Sequence, residues 1–313
     1  MTKAGMQLGL GDLLGAGYRA AGKYTGTLFA VFLVQSLIAG ACIVAVSMLL
    51  ANTFAQLPLF DDAVDGDLVA LITSLRYAPP SFLAVGGIVF GTLFVWQLAS
   101  WFLAGGIYGV FAKRPETRAD TARVFGASGA ATYLAYARLA LCSAIGWAVV
   151  LVVFQLLLST FLTPRIDHAL SLRELAIPLS LTVIPTCVLL HFFWTVTDYA
   201  RAELALRHET HAPGAFRTYL RTLIWVARTP LTLIHGAFGW MFAIAVTAAY
   251  IVIAYGHPMY GTEGAITLFF VRQLVSLARL AIRMAVMGGQ LELARTRPLP
   301  PRHVEAPEET AVA

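Results

Sequence analysis

The sequence predicts an all-α fold, a polytopic membrane helix bundle of about six transmembrane helices arranged in three hairpins. Three observations carry that reading. Of 313 residues, 58% are hydrophobic. Only 12% are charged, against roughly 25% in soluble domains, too few to solvate the surface of a chain this long. Long, nearly uncharged runs also recur along the chain, and about 20 such residues cross a hydrocarbon core of about 30 Å at about 1.5 Å per residue.

The first run starts near Thr27 and extends to about Leu50. It begins late and lacks a small-residue cleavage site, so it reads as a membrane helix and not as a signal peptide. Further runs lie near 82–111, 139–162, 176–198, 231–255 and 264–288. Together these make a single bundle domain over residues 1–296. The tail from 297 to 313 holds Pro298, Pro300, Pro301 and Pro307 with three glutamates, a composition that cannot bury enough apolar surface to fold, so disorder is expected there.

Charge sets the expected direction of threading. The 51–81 connection carries Asp61, Asp62, Asp65 and Asp67 against Arg76, whereas 112–138 carries Lys113, Arg114, Arg118, Arg123 and Arg138. Of 22 Lys and Arg residues, 16 fall in the N-terminus, the 112–138 and 199–230 connections and the C-terminal end, three in the other connections and three in the last apolar run. The positive-inside rule then puts both termini in the cytoplasm. The basic residues are spread over several loops without a nucleic-acid module, so no nucleic-acid partner is expected. Cys42, Cys142 and Cys187 lie within apolar runs, without metal-type spacing, and behave as small hydrophobes.

The cytoplasmic segments have a helical pattern of their own. After Pro213, Phe216, Leu220, Leu223 and Ala227 recur on one face while Arg217, Arg221 and Arg228 populate another, the pattern of an interfacial helix. Weaker versions run from Thr121 to Tyr136 and from Leu8 to Tyr24, the latter with Arg19 and Lys23 as anchors. Three units of amphipathic segment plus hairpin are the expected repeat.

Four stretches carry a family resemblance: GGIYG at Gly105–Gly109, TDYARAEL at Thr197–Leu204, AFRTYLRTLIWVARTP at Ala215–Pro230 and RQLVSLARLAIR at Arg272–Arg283. Over about residues 10–295 the chain resembles a broad group of bacterial six-helix membrane proteins, similar to the membrane domain that some glycerophosphoryl diester phosphodiesterases carry beside their catalytic domain. The resemblance implies a multi-pass protein of the bacterial inner membrane. It implies no reaction, because the catalytic barrel of such enzymes is a separate domain of about 250 residues.

The last apolar run is where chemistry concentrates. Arg272, Ser276, Arg279 and Arg283 fall within a narrow arc, with Gln290 on the same line. Three central arginines oppose insertion by roughly 8–10 kcal/mol, while about eleven Leu, Ile, Phe and Val residues favour it by only about 5 kcal/mol. This run is therefore a conditional span that needs partners. His191, Thr195 and Asp198 share one face of the fourth run, and an Asp198–Arg283 ion pair is expected near the cytoplasmic boundary, with Arg279 and His191 deeper and Arg272 nearest the outside. Such a network can simply lock the bundle. The surplus of arginines over the one acid in reach also suits an anion or lipid phosphate.

No cofactor, metal or catalytic residue is expected. His208, Glu209 and His211 superficially suggest a zincin, but that motif needs histidines at i and i+4, and here they are three apart. His235 reads as a hydrogen-bonded interior histidine. Gly87/Gly91 and Gly105/Gly109 allow close helix contact, within the chain or in a homo-oligomer. Trp96, Trp101, Trp194, Trp225 and Trp240 suit an aromatic belt. No phosphate-binding loop, dinucleotide fingerprint or serine elbow occurs. The leading expectation is a membrane scaffold or lipid-handling accessory protein, whose partners are the bilayer, its anionic headgroups and an unspecified protein. The alternative is a transporter or channel for an anionic substrate, with Pro178 and Pro185 as the candidate helix break. A membrane-embedded lipid-modifying enzyme using His191 and Asp198 ranks third.

Overall fold

A computed structural model of the chain describes residues 9–54, 73, 79–166, 172–207, 214–256 and 261–297. These residues form eight α-helices: α1 Leu10–Lys23, α2 Thr25–Phe54, α3 Pro79–Lys113, α4 Arg118–Leu157, α5 Leu172–Arg207, α6 Ala215–Arg228, α7 Pro230–Gly256 and α8 Gly261–Thr296. A π-helical turn, Leu158–Leu162, and a last helical turn, Thr163–Ile166, continue α4. No strand occurs among the described residues. The acidic stretch 61–67, the His208–His211 stretch and the tail beyond Arg297 lie outside them.

Among the described residues, five helices are long and apolar enough to cross a membrane, over Thr25–Asn52, Leu83–Lys113, Arg118–Arg165, Glu174–Arg207 and Pro230–Ala254. The protein is thus built as a multi-pass membrane protein. α8 has 36 residues, ample for a crossing, but it carries Arg272, Arg279 and Arg283 in the stretch where the others are uncharged.

Two of the three expected amphipathic segments are separate helices, α1 and α6. The third is not. Thr121–Tyr136 runs without a break into the next apolar stretch as the first half of α4, because neither proline nor a capping residue interrupts it. Its start is defined instead by Thr117, whose Oγ1 accepts the backbone N–H of Asp120 at 3.1 Å, a side-chain cap for an otherwise unpaired donor. α1 is capped in the reverse sense, with Gly9 N–H donating to Asp12 Oδ2 at 3.0 Å. α5 passes through Pro178 and Pro185 as one helix.

Contacts divide the chain into two compact units. One contains α1, α4 from Leu134, α5, α6, α7 as far as Ala249, and α8 from Ile282; the other contains the segments Tyr24–Tyr133 and Tyr250–Ala281. In the second unit α2 packs on α3, and Gly105 and Gly109 of α3 meet Thr132 and Ser128 of α4 so closely that a Cβ on either would collide. That glycine pair therefore serves packing inside the chain. Gly87 and Gly91 have open space before them among the described residues.

In the first unit, α1 lies against the end of α8. A Cβ on Gly17 would strike the carbonyl of Ala285, and Gly288 faces Gly17 and Ala20 in return. The approach is backbone to backbone, which no larger side chain allows. Gly17→Val is expected to lower the melting temperature of the detergent-solubilised protein, at a cost of about 2 kcal/mol or more from overpacking. An unchanged melting curve would mean that α1 does not dock there.

Candidate functional site

The polar centre of the first unit grows from α5. Asp198 is 1% exposed, and a carboxylate held out of water must be paired. Arg283 of α8 supplies the pair, its Nη2 donating to Asp198 Oδ1 at 2.6 Å. Gln290, seven residues on and so on the same face of α8, donates from Nε2 to Oδ2 at 3.4 Å. One turn along α5, Arg201 Nη1 stands 3.7 Å from Oδ1. The guanidinium of Arg283 also sits 5.4 Å from the Trp194 ring centroid, a cation–π contact that steadies its orientation. Trp194 in turn meets Trp147 and Trp240 edge-on, at 6.3 and 5.6 Å.

Neighbouring helices hold this centre in register. Tyr136 of α4, fully buried, donates to the carbonyl of Arg201 at 2.9 Å. His191 Nε2 bonds the carbonyl of Leu233 on α7 at 2.9 Å, so that nitrogen carries the proton. Thr195 is buried beside it. Gly236 makes this approach possible, because a Cβ there would press on His191 Cε1 and Thr195 Oγ1. The His191–Thr195–Asp198 face of α5 is thus covered by two helices: α7 over His191 and Thr195, α8 over Asp198.

Of the three expected seam arginines, the structure brings only Arg283 to Asp198. Arg272 and Arg279 are exposed, and among the described residues neither has an acidic partner. The reason lies in α8 itself. From Met284 to Leu291 every residue is buried, whereas Arg272, Leu274, Ser276 and Arg279 are all exposed. Its last third is packed and its middle is not. Each such arginine costs about 2.5–3.5 kcal/mol at the centre of a crossing helix.

Several participants are not evident from sequence. Arg201 and Trp194 are legible there only as helical neighbours of Asp198 at i+3 and i−4, a spacing that permits contact without requiring it. His235 is interior as expected, but neither ring nitrogen has a hydrogen-bond partner among the described residues. It packs against Gly289, with Leu13 adjoining.

Beside the ion pair, α6 lies on α5 with an inverted amphipathicity. Its buried side is hydroxyl-rich, with Thr218, Tyr219, Thr222 and Val226. Phe216, Leu220 and Ile224 are 58%, 43% and 51% exposed on the opposite side. Burial raises the Tyr219 phenol above its ordinary range, which keeps it neutral. A small cleft between α5, α6 and the end of α8 is lined by Tyr199, Glu203, Thr222, Trp225, Ala294 and Arg297. Glu203 there pairs with Arg207, and Tyr199 meets Trp225 edge-on at 5.2 Å.

No family model, curated protein or solved structure matches this chain. The site has to be read from its own chemistry. A buried carboxylate saturated by two arginines and an amide is poorly suited to act as a base, and no group of three or more metal-binding side chains occurs among the described residues. The arrangement is that of a lock between α5 and α8.

Removing one member of a buried pair leaves an uncompensated charge, at about 3–5 kcal/mol. Arg283→Ala strands a carboxylate that is 1% exposed and is expected to cost about 3 kcal/mol, whereas Asp198→Ala strands a guanidinium that is a third exposed and is expected to cost less. The double variant should lose less than the sum of the two, as read from folded yield and thermal melting. Strictly additive losses would show that the two residues do not interact.

Proposed function

We propose that the protein is a lipid-handling scaffold of the bacterial inner membrane, with both termini cytoplasmic and α8 as a sixth crossing. The observation that carries the proposal is the inverted packing of α6. A helix that buries threonines and exposes phenylalanine, leucine and isoleucine is poorly suited to water. At a bilayer surface the same helix is satisfied, because its apolar side sinks among the acyl chains and its arginines meet phosphates. Arg217 and Arg228 are both exposed at its flanks. α1 buries Leu13, Gly17 and Ala21 and exposes Tyr18 beside Arg19, so it adds an aromatic and a base to the same surface without the inverted packing.

The charge asymmetry across the connections supports the orientation. The likeness to the membrane domain found beside glycerophosphoryl diester phosphodiesterases belongs to the same proposal. A transporter fits less well, because the break expected at Pro178 and Pro185 is absent from the continuous α5. A lipid-modifying enzyme fits less well, because Asp198 is committed to Arg283, which leaves, among the described residues, the unpartnered Nδ1 of His191 as a base with no second group beside it.

Single spin labels at positions 216, 220 and 224, in full-length protein reconstituted into vesicles, should be relaxed by oxygen and shielded from a water-soluble nickel chelate. Labels at 217 and 228 should be more open to the chelate. Equal access to the chelate at all five positions would contradict the interfacial placement of α6.

A further inference from the structure

The exposed middle of α8 presents a line of polar side chains with nothing opposite among the described residues. Arg272, Ser276 and Arg279 fall on one side of the helix, at i, i+4 and i+7. All three are exposed; the Ser276 hydroxyl donates to the carbonyl of Arg272 at 2.9 Å, and among the described residues neither arginine meets an acid. Arg272 stands eleven residues, about 16 Å along the axis, from Arg283 at the locked end and the same distance from Gly261 at the start of α8. Phe269, 57% exposed, borders the line on one side, and half-buried Leu268 and Val275 border it on the other. The line is therefore a cationic track within an apolar frame.

We propose that Arg272 and Arg279 hold the phosphate of an anionic phospholipid, with its acyl chains lying along Phe269, Leu268 and Val275. The proposal deepens the lipid-handling reading and rests on it. Two guanidinium groups stand two turns apart on one side of the helix, and each offers the paired N–H donors that match phosphate oxygens. A soluble anion would satisfy the arginines but leave the apolar frame uncovered. A second copy docked through the same face around a two-fold axis would set arginine against arginine. A phospholipid answers both halves of the surface at once.

The test is binding of dioleoyl phosphatidylglycerol to the full-length protein in maltoside micelles, followed by native mass spectrometry, with dioleoyl phosphatidylcholine as comparator. The wild type should prefer phosphatidylglycerol. Arg272→Gln and Arg279→Gln should each weaken it by about tenfold, and the double variant by more, since charge-assisted pairs to phosphate are lost. Arg123→Gln, an exposed arginine paired with Asp120, should bind as the wild type does.

Folding is checked by melting without added lipid, where the Gln variants should equal the wild type because no contact within the chain is removed. If the double variant melts early, Arg279→Lys serves instead, keeping the charge without the fork, and binding weakened by a few fold is the expected result. Unchanged binding in these variants while the wild type still prefers phosphatidylglycerol would overturn this site and leave lipid handling intact. Absence of any phosphatidylglycerol preference in the wild type would overturn both. Competition by millimolar inorganic phosphate would reassign the track to a soluble anion and overturn the lipid.

Discussion

Asp198 is the constraint around which the rest of the first unit is arranged. A carboxylate with 1% of its surface exposed cannot be left alone in an apolar bundle, and each partner it takes fixes a helix. Arg283 and Gln290 set the register of α8, Arg201 uses the next turn of α5, and Tyr136 ties α4 to the carbonyl of Arg201. Buried ion pairs of this kind contribute little net stability over a well-packed apolar alternative. The pair instead selects one arrangement of α5 and α8 among several that lipid-like surfaces would tolerate. Apolar helices have weak preferences for one another inside hydrocarbon, because the solvent is as apolar as they are.

Close approach provides the second part of that selection. Gly236 lets α7 reach His191 and Thr195, and Gly17 with Gly288 lets α1 touch α8 backbone to backbone. These contacts bring enough atoms within dispersion range to matter where the hydrophobic effect is absent between helices. They also explain why α1, only 14 residues long and marginal as a helix in isolation, has a definite seat. The buried hydroxyls of α6 obey the same logic. Thr222 and Trp225 face Tyr199 and Glu203 of α5, while Phe216, Leu220 and Ile224 are turned outward.

The spans are legible in the sequence because length and apolarity are local properties, and hydrocarbon leaves the backbone no alternative to helix. Asp198 and Arg283 are legible as partners because Asp198 is the acid at the C-terminal end of its run and Arg283 the nearest base on α8. Thr121–Tyr136 has the look of a separate amphipathic helix because its polarity differs from that of the apolar stretch after it, yet polarity alone does not break a helix when no Gly–Pro punctuation accompanies it. The division of the α8 arginines is not legible. Periodicity places Arg272, Arg279 and Arg283 on one face but is silent about where along the helix its neighbours stop. Likewise the pattern Phe216–Leu220 against Thr218–Thr222 identifies two faces of α6 without saying which is buried.

That division decides how the surplus charge of α8 should be understood. A purely structural network would distribute acids along the arginine line, one for each base, because every unpaired guanidinium carries its own desolvation cost. The chain instead compensates Arg283 fully and leaves Arg272 and Arg279 exposed, which is consistent with a counter-charge supplied from outside the polypeptide. Either depth of α8 leads to the same requirement. If the helix crosses the bilayer, Arg272 stands near its middle and must draw in an anionic group or water; if it lies in the interface, the same guanidinium groups face the headgroup layer directly. Phosphate is the abundant anion in both settings, and the apolar residues beside the arginines favour the form of phosphate that arrives with acyl chains attached.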